Sequence, residues 1–304
     1  SNISMKNKEN ILIIKHGAFG DLIQADGIFK SIRYKHKNAK ITLLTSKNFI
    51  NLMTMCPYVD NILIDDRPSF FYIFFYISLC KKIKKYNFSV IYDLQNSQRT
   101  YIYRKYLFSQ LKWISTNRRD HEVSGLRGLM DMLKDNSVDT RDALKPNISW
   151  LVGDIKELLK NNKISSKYIV LLPGSSKNHL LKRWPYFKEL AQKLILKKYQ
   201  VVTILGPEEV EFENLMPGHI LKNMDWSQLA GVIQSSHFVI GNDSGPSHIA
   251  SCLNKDGLAL FGPSTSANRS ELKRGRFGVL KTNNFYNLTV EAVIEKMEIK
   301  LQNN

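Results

Sequence analysis

Short apolar runs alternate with longer amphipathic segments along this chain, the pattern expected of repeated βα units. Ile11-Leu12-Ile13-Ile14 reads as a buried strand, as do residues 40–45, 61–64 and 88–94. A helix with Ile28 and Ile32 on its apolar side follows the first strand, and another is expected near residues 48–55. Residues 70–86 form an aromatic segment with a basic end, which suits either a core helix with a solvated tail or a helix at a membrane surface. Residues 145–163, with Pro146 and Gly153, read as a connector. A second array then begins, with strands at 168–172, 200–205 and 237–240. Helices are expected after Pro185, over 226–233, from Ser247 to Leu253 and, amphipathic and terminal, over 291–301. The pattern therefore predicts an α/β protein of two parallel-sheet lobes, residues 1–150 and 151–304, whose last helix could pack back on the first lobe.

Two strand-to-helix turns carry the candidate chemistry. In Gly241-Asn242-Asp243-Ser244-Gly245-Pro246-Ser247-His248, turn formers precede a proline at a helix start. Backbone N–H groups and the positive end of the helix dipole there suit a phosphate, with Asp243 and His248 able to bond a sugar or phosphate oxygen. An ordinary turn with a capping aspartate and a packed histidine fits the same residues. After the first strand, Gly17 and Gly20 allow a tight turn and Asp21 opens the helix, a favourable position for a cap. The turn lacks the GxGxxG dinucleotide fingerprint. Ser175 and Ser176 follow the strand at 168–172, and Lys182 precedes Trp184-Pro185. Hydroxyls and a lysine so placed can hold a diphosphate without a metal. Asp65-Asp66 reads as a solvated turn rather than a metal-binding pair.

Composition narrows the partners. The net charge of +17 favours an anionic one, and residues 1–150 hold 24 basic against 13 acidic side chains, so most of the excess lies in the first lobe. Cys56, Cys80 and Cys252 form no close pair, which argues against a disulfide framework or a zinc site and for a reducing cytoplasm. The polar start lacks a signal-peptide core, and the most apolar run is too short to span a bilayer.

Asp243-Ser244-Gly245-Pro246-Ser247-His248, followed by Leu260-Phe261-Gly262-Pro263-Ser264, resembles glycosyltransferase family 9, the ADP-heptose:lipopolysaccharide heptosyltransferases. Gly17-x-x-Gly20-Asp21-Leu22-Ile23, Pro57-x-Val59-Asp60, Asp93-Leu94-Gln95 followed by Arg99, and Lys182-x-Trp184-Pro185 are similar to further motifs of that family. Ala25-Asp26 departs from its usual Thr-Pro. The resemblance implies the GT-B architecture, two Rossmann-like lobes facing a cleft. It also implies inverting transfer of a heptose from a nucleotide-diphosphate sugar, ADP-heptose above all, to a phosphorylated glycolipid of the lipopolysaccharide core. Asp21 would be the catalytic base. Ser175, Ser176, Lys182, Glu208, Asp243, Ser244, Gly245 and His248 would bind the donor, and Arg99, Arg118 and Arg119 the acceptor. No metal or cofactor is expected, nor a nucleic-acid partner. A cytoplasmic monomer, peripheral on the inner membrane, is the expected form. A nucleotide-sugar epimerase shares the two-lobed fold, and a nucleic-acid-binding protein would account for the charge but not for the glycine loops.

Overall fold

The computed structural model describes residues 8–116, 125–175, 177–264 and 267–303. The chain divides into two compact units, Ser1–Pro146 and Asn147–Asn304.

In the first unit, strands β1 (Asn10–Ile14), β2 (Lys40–Thr45), β3 (Asn61–Ile64), β4 (Val90–Asp93) and β5 (Trp113–Ile114) form one parallel sheet in the order β3-β2-β1-β4-β5. The β1 residues after Asn10 are fully buried, as the unbroken apolar run requires of a strand covered on both faces. Helices α1 (Phe19–Gln24) and α2 (Asp26–Lys35) replace the single helix expected there, with the break at Ala25. They are followed by α3 (Ile50–Met53), α4 (Ile73–Tyr86), α5 (Gln98–Ile102), which runs into a π-helical turn at Tyr103–Leu107, and α6 (Gly125–Asp135). One face of α4 enters the core through Tyr76, Leu79 and Ile83, beside Leu12, Ile14 and Tyr103. Gly27 on α2 is obligatory for packing: a methyl group there would lie 2.1 Å from the Asp142 carbonyl oxygen.

In the second unit, β6 (Tyr168–Leu172), β7 (Gln200–Leu205), β8 (His219–Lys222), β9 (Phe238–Asn242), β10 (Gly257–Phe261) and β11 (Phe277–Lys281) form a parallel sheet ordered β11-β10-β9-β6-β7-β8. Strands β8 and β11 have no counterpart in the sequence pattern. The helices are α7 (Lys156–Asn161), α8 (Phe187–Leu196), α9 (Trp226–Ser235), α10 (Gly245–Cys252), α11 (Ala267–Ser270) and α12 (Val290–Gln302). Helix α8 starts two residues beyond Pro185. The terminal helix α12 belongs to this unit's own core: Val293, Ile294 and Met297 join Leu190 and Leu194 of α8. Trp184 Nε1 donates to the Leu288 carbonyl at 3.0 Å, sealing the same layer.

Both sheets reverse their order beside their first strand, between β1 and β4 in one and between β6 and β9 in the other. Such a reversal leaves an opening at the carboxyl ends of the two strands, where open α/β sheets bind ligands. The two candidate turns found in the sequence leave β1 and β9, and so both lie at switch points.

Candidate active site

At the first switch point the loop leaving β1 is tied to the loop leaving β4. Lys15 is buried and its Nζ donates to the Leu94 carbonyl at 3.1 Å. The side-chain carbonyl of Gln95 accepts from the backbone of His16 at 3.0 Å and of Gly17 at 3.3 Å. Gly17 sits at φ +144°, a conformation that favours glycine. His16 itself is fully buried, and its Nε2 lies 2.8 Å from Asp65 Oδ2. The same carboxylate oxygen accepts from the Tyr103 hydroxyl at 2.6 Å, while Oδ1 accepts the Arg67 N–H at 3.0 Å.

Asp65 is thus no solvated turn residue. Asp66 is the exposed member of the pair, accepting the Lys47 N–H at 2.9 Å. The two part because His16 and Tyr103, from elements distant in sequence, close over Asp65. Burial works against the Asp65 carboxylate, but the hydrogen bonds from His16 and Tyr103 outweigh it and hold its pKa below the usual value. Burial, with the Asp65 charge beside it, drives the Tyr103 hydroxyl pKa up, so this phenol remains a donor.

Asp21 stands on the exposed side of this loop, in the first turn of α1. Its Oδ2 accepts the Ala18 N–H at 3.2 Å and its Oδ1 accepts from Gln24 Nε2 at 3.4 Å. These are the bonds of a helix cap, and they leave the carboxylate in solvent reach. Burial lowers the Lys15 pKa, against the charges of Asp21 and Asp93. Arg99 is half-buried and already engaged: its guanidinium lies 4.5 Å from the Phe70 ring centroid, donates to the Tyr76 hydroxyl and to the Arg67 carbonyl. Arg118 and Arg119 lie outside the described residues.

At the second switch point, Lys182 and Asp243 meet although 61 positions separate them: Nζ stands 3.1 Å from Oδ2. Asn242 makes that meeting possible. Read in the sequence as a turn former, it is instead the last residue of β9 and is fully buried. Its Oδ1 accepts the Trp184 N–H at 3.0 Å and its Nδ2 donates to the Pro173 carbonyl at 2.8 Å, stapling the loop after β6 to the end of β9. Ser247 Oγ donates to the Asn242 carbonyl at 2.6 Å. Ser244 is the N-cap residue of α10, Gly245 is its first residue and Pro246 its second, one position later than the sequence suggests. The Ser244 hydroxyl does not cap the helix. His248 is buried on α10.

Ser175 is buried, donating to the His179 carbonyl at 3.0 Å and accepting from Arg183 Nε at 3.1 Å. Ser176 lies outside the described residues. Glu208 is exposed, and the neighbouring Glu209 is the carboxylate that lies over the turn: a methyl group on Gly174 would meet its Oε1 at 1.7 Å. Burial raises the Glu209 pKa against the pull of Arg183. Sequence reasoning missed Glu209, Arg183 and Asn242. The adjacent Glu-Glu pair was the available signal for the first of these.

Against known proteins, the sequence matches the pattern of glycosyltransferase family 9 (heptosyltransferase) over residues 110–286, more than half the chain. The chain belongs to that family. A family relative, lipopolysaccharide heptosyltransferase 1 of Campylobacter coli, is 24% identical over 296 aligned positions, with 84% of each chain covered. Among solved structures, a family 9 glycosyltransferase from Veillonella parvula superposes with a TM-score of 0.81 at 18% identity, covering 97% of this chain and 98% of the other. ADP-heptose lipopolysaccharide heptosyltransferase II of Escherichia coli superposes at 0.73 and 19% identity, covering 97% and 99%. The fold of this family 9 member is therefore the two-lobed GT-B architecture that its motifs imply. The family match takes in every residue of the second switch point and only the end of the first unit.

Proposed function

We propose that this family 9 glycosyltransferase moves a heptose from an ADP-heptose donor to a phosphorylated glycolipid of the lipopolysaccharide core, with inversion at the anomeric carbon. The observation that carries the reading is the meeting of Lys182 and Asp243 at the β6–β9 switch point, beside the N-terminus of α10. A lysine, a helix N-terminus and small residues at one strand end form a cradle for a diphosphate. The family relatives named for heptose transfer to lipopolysaccharide point to the same donor and acceptor.

In the proposed step, an acceptor hydroxyl oxygen attacks the anomeric carbon and forms the new glycosidic bond. The bond from that carbon to the donor's phosphate oxygen breaks, and its electron pair leaves with the nucleoside diphosphate. Asp21, exposed at the loop after β1, takes the hydroxyl proton. Lys182 and the α10 N–H groups meet the charge growing on the diphosphate, and no metal ion is required for this. The reaction is placed on the cytoplasmic face of the membrane that holds the acceptor.

Calorimetric titration of the full chain with ADP, UDP and GDP, in EDTA, tests the cradle. ADP is expected to bind most tightly, and Lys182→Ala to weaken it about tenfold to a hundredfold. Absence of nucleotide binding, or dependence on an added divalent ion, would overturn this part of the reading.

A further inference from the structure

Between Asp66 and Asp120 the sequence holds eleven lysines and arginines and one acidic residue, Asp93, which is buried. Helix α4 lies in the middle of that stretch. Its inner face is taken by Tyr76, Leu79 and Ile83, and its outer face divides along the helix axis. The N-terminal end and the turn before it are apolar and exposed: Phe71 keeps 94% of its surface in solvent and Phe74 87%. The C-terminal end exposes Lys81, Lys82, Lys84 and Lys85. Lys81 follows Ile73 by eight residues, about 12 Å along an α-helix. A groove of about 470 Å³ runs along the same face, with an almost wholly apolar wall of Phe70, Ile73, Ile77, Cys80 and Leu107, and with Lys81 and Lys84 also on it. Among the described residues no helix is long and apolar enough to cross a membrane.

We propose that this face docks on a bilayer leaflet containing anionic phospholipid. Phe71 and Phe74 enter the acyl region, the groove receives part of an acyl chain, and the lysines about two helical turns above reach the lipid phosphates with their stems along the apolar surface. The separation of aromatic and basic ends along one axis is the dimension of an acyl boundary with phosphates above it. A two-fold-related copy seated here would pack the lysine end against either its own counterpart or the partner's apolar end and desolvate unpaired charge, and a nucleic acid would leave Ile73, Ile77 and the groove wall in water. The groove borders the first switch point through Phe70, which carries the Arg99 guanidinium, but Phe71, Phe74, Lys81 and Lys84 belong to neither switch point, and the test does not depend on the role of Asp21 or Lys182.

Vesicle flotation of the full chain provides that test, with phosphatidylcholine vesicles set against phosphatidylcholine containing phosphatidylglycerol. Wild type is expected to float with the phosphatidylglycerol vesicles and to be released by 1 M salt, where the screening length is about 3 Å. Phe71→Ser with Phe74→Ser should lower partitioning about tenfold or more, and so should Lys81→Gln with Lys84→Gln, each with an unchanged melting temperature because all four side chains are exposed. Cys56 and Cys252 are buried, so an environment-sensitive dye reports from Cys80, and its emission should shift to the blue on the anionic vesicles. Wild type that fails to float, or an aromatic variant that floats like wild type, overturns the proposal. It falls equally if the aromatic variant instead abolishes a dimer seen by sedimentation, or if single-stranded DNA binds this face and vesicles do not.

Discussion

The two switch points share a backbone plan and differ in what holds them in place. Around β1 and β4 the buried polar groups include four ionisable ones, Lys15, His16, Asp65 and Asp93. Around β6 and β9 the buried groups that tie the loops together are neutral, Asn242, Ser175 and Ser247, with His248 buried beside them and the charged pair Lys182 and Asp243 partly in solvent. Titratable groups sunk in a low-dielectric interior make the geometry of the first loop sensitive to protons. The amide and hydroxyl bonds that staple the second do not titrate over the same range. The lobe proposed to move a proton and the lobe proposed to hold a diphosphate are thus supported by different materials.

The largest expected effect tests whether chemistry sits on the charged side. Asp21→Asn retains an acceptor for the Ala18 N–H but removes the base, so turnover should fall about a hundredfold to ten-thousandfold while stability changes by less than about 1 kcal/mol. Initial rates with donor and acceptor, alongside thermal melting, check this; a rate within tenfold of wild type makes Asp21 a cap only.

Next in size is the clamp that His16 and Tyr103 form on the buried Asp65 carboxylate. Asp65→Asn at pH 7 leaves two hydrogen bonds to a buried oxygen mismatched and should destabilise the first unit by about 3 kcal/mol, with little change in the second. Calorimetry of the two unfolding transitions separates them. The sign with pH follows from the lowered pKa. The wild-type carboxylate contributes its stability above the unfolded value of about 3.9, and loses it as acid titrates the native group below that. The advantage over Asp65→Asn should therefore begin to shrink below about pH 3.9 and disappear only below the lower native pKa.

Asn242→Ala removes a neutral staple, which should cost about 2 kcal/mol in the second unit and weaken ADP binding. That loss should be the same at pH 6 and pH 9; a strong pH dependence would erase the contrast between the lobes. The smallest effect is the alkaline slope from Lys15. Because burial lowers its pKa, the unfolded chain holds the proton over a range where the native one has released it. Stability should then rise with pH up to about 10.4, by at most about 1.4 kcal/mol per pH unit. Lys15→Met should flatten that slope in a melting series from pH 7 to 10.

What was legible in the sequence was local. Strands β2, β3, β6 and β7 stand where their apolar runs lie, and the α10 turn is spelled by four adjacent residues, Asp243 to Pro246. The clamp was not legible because it is assembled from positions far apart: Asp65 meets His16 across 49 residues and Tyr103 across 38. Nothing in Asp65-Asp66 tells which carboxylate turns inward. Asn242 misled for a related reason: its amide looks like turn chemistry until Pro173 and Trp184 are brought to it by the sheet order. Strands β8 and β11 were missed because one is short with His219 at its start and the other carries Gly278 within it.

The contact of Gly27 with the Asp142 carbonyl reaches beyond packing, to the order in which the chain can fold during synthesis. The α2 surface is shaped to accept a segment made more than a hundred residues later, and until that segment leaves the ribosome this surface has no partner. Trp184 waits in the same way for Leu288. Each lobe is latched by nearly the last of its own residues to be made, so the nascent first lobe passes through a stage in which its sheet is complete and its latch has yet to be translated.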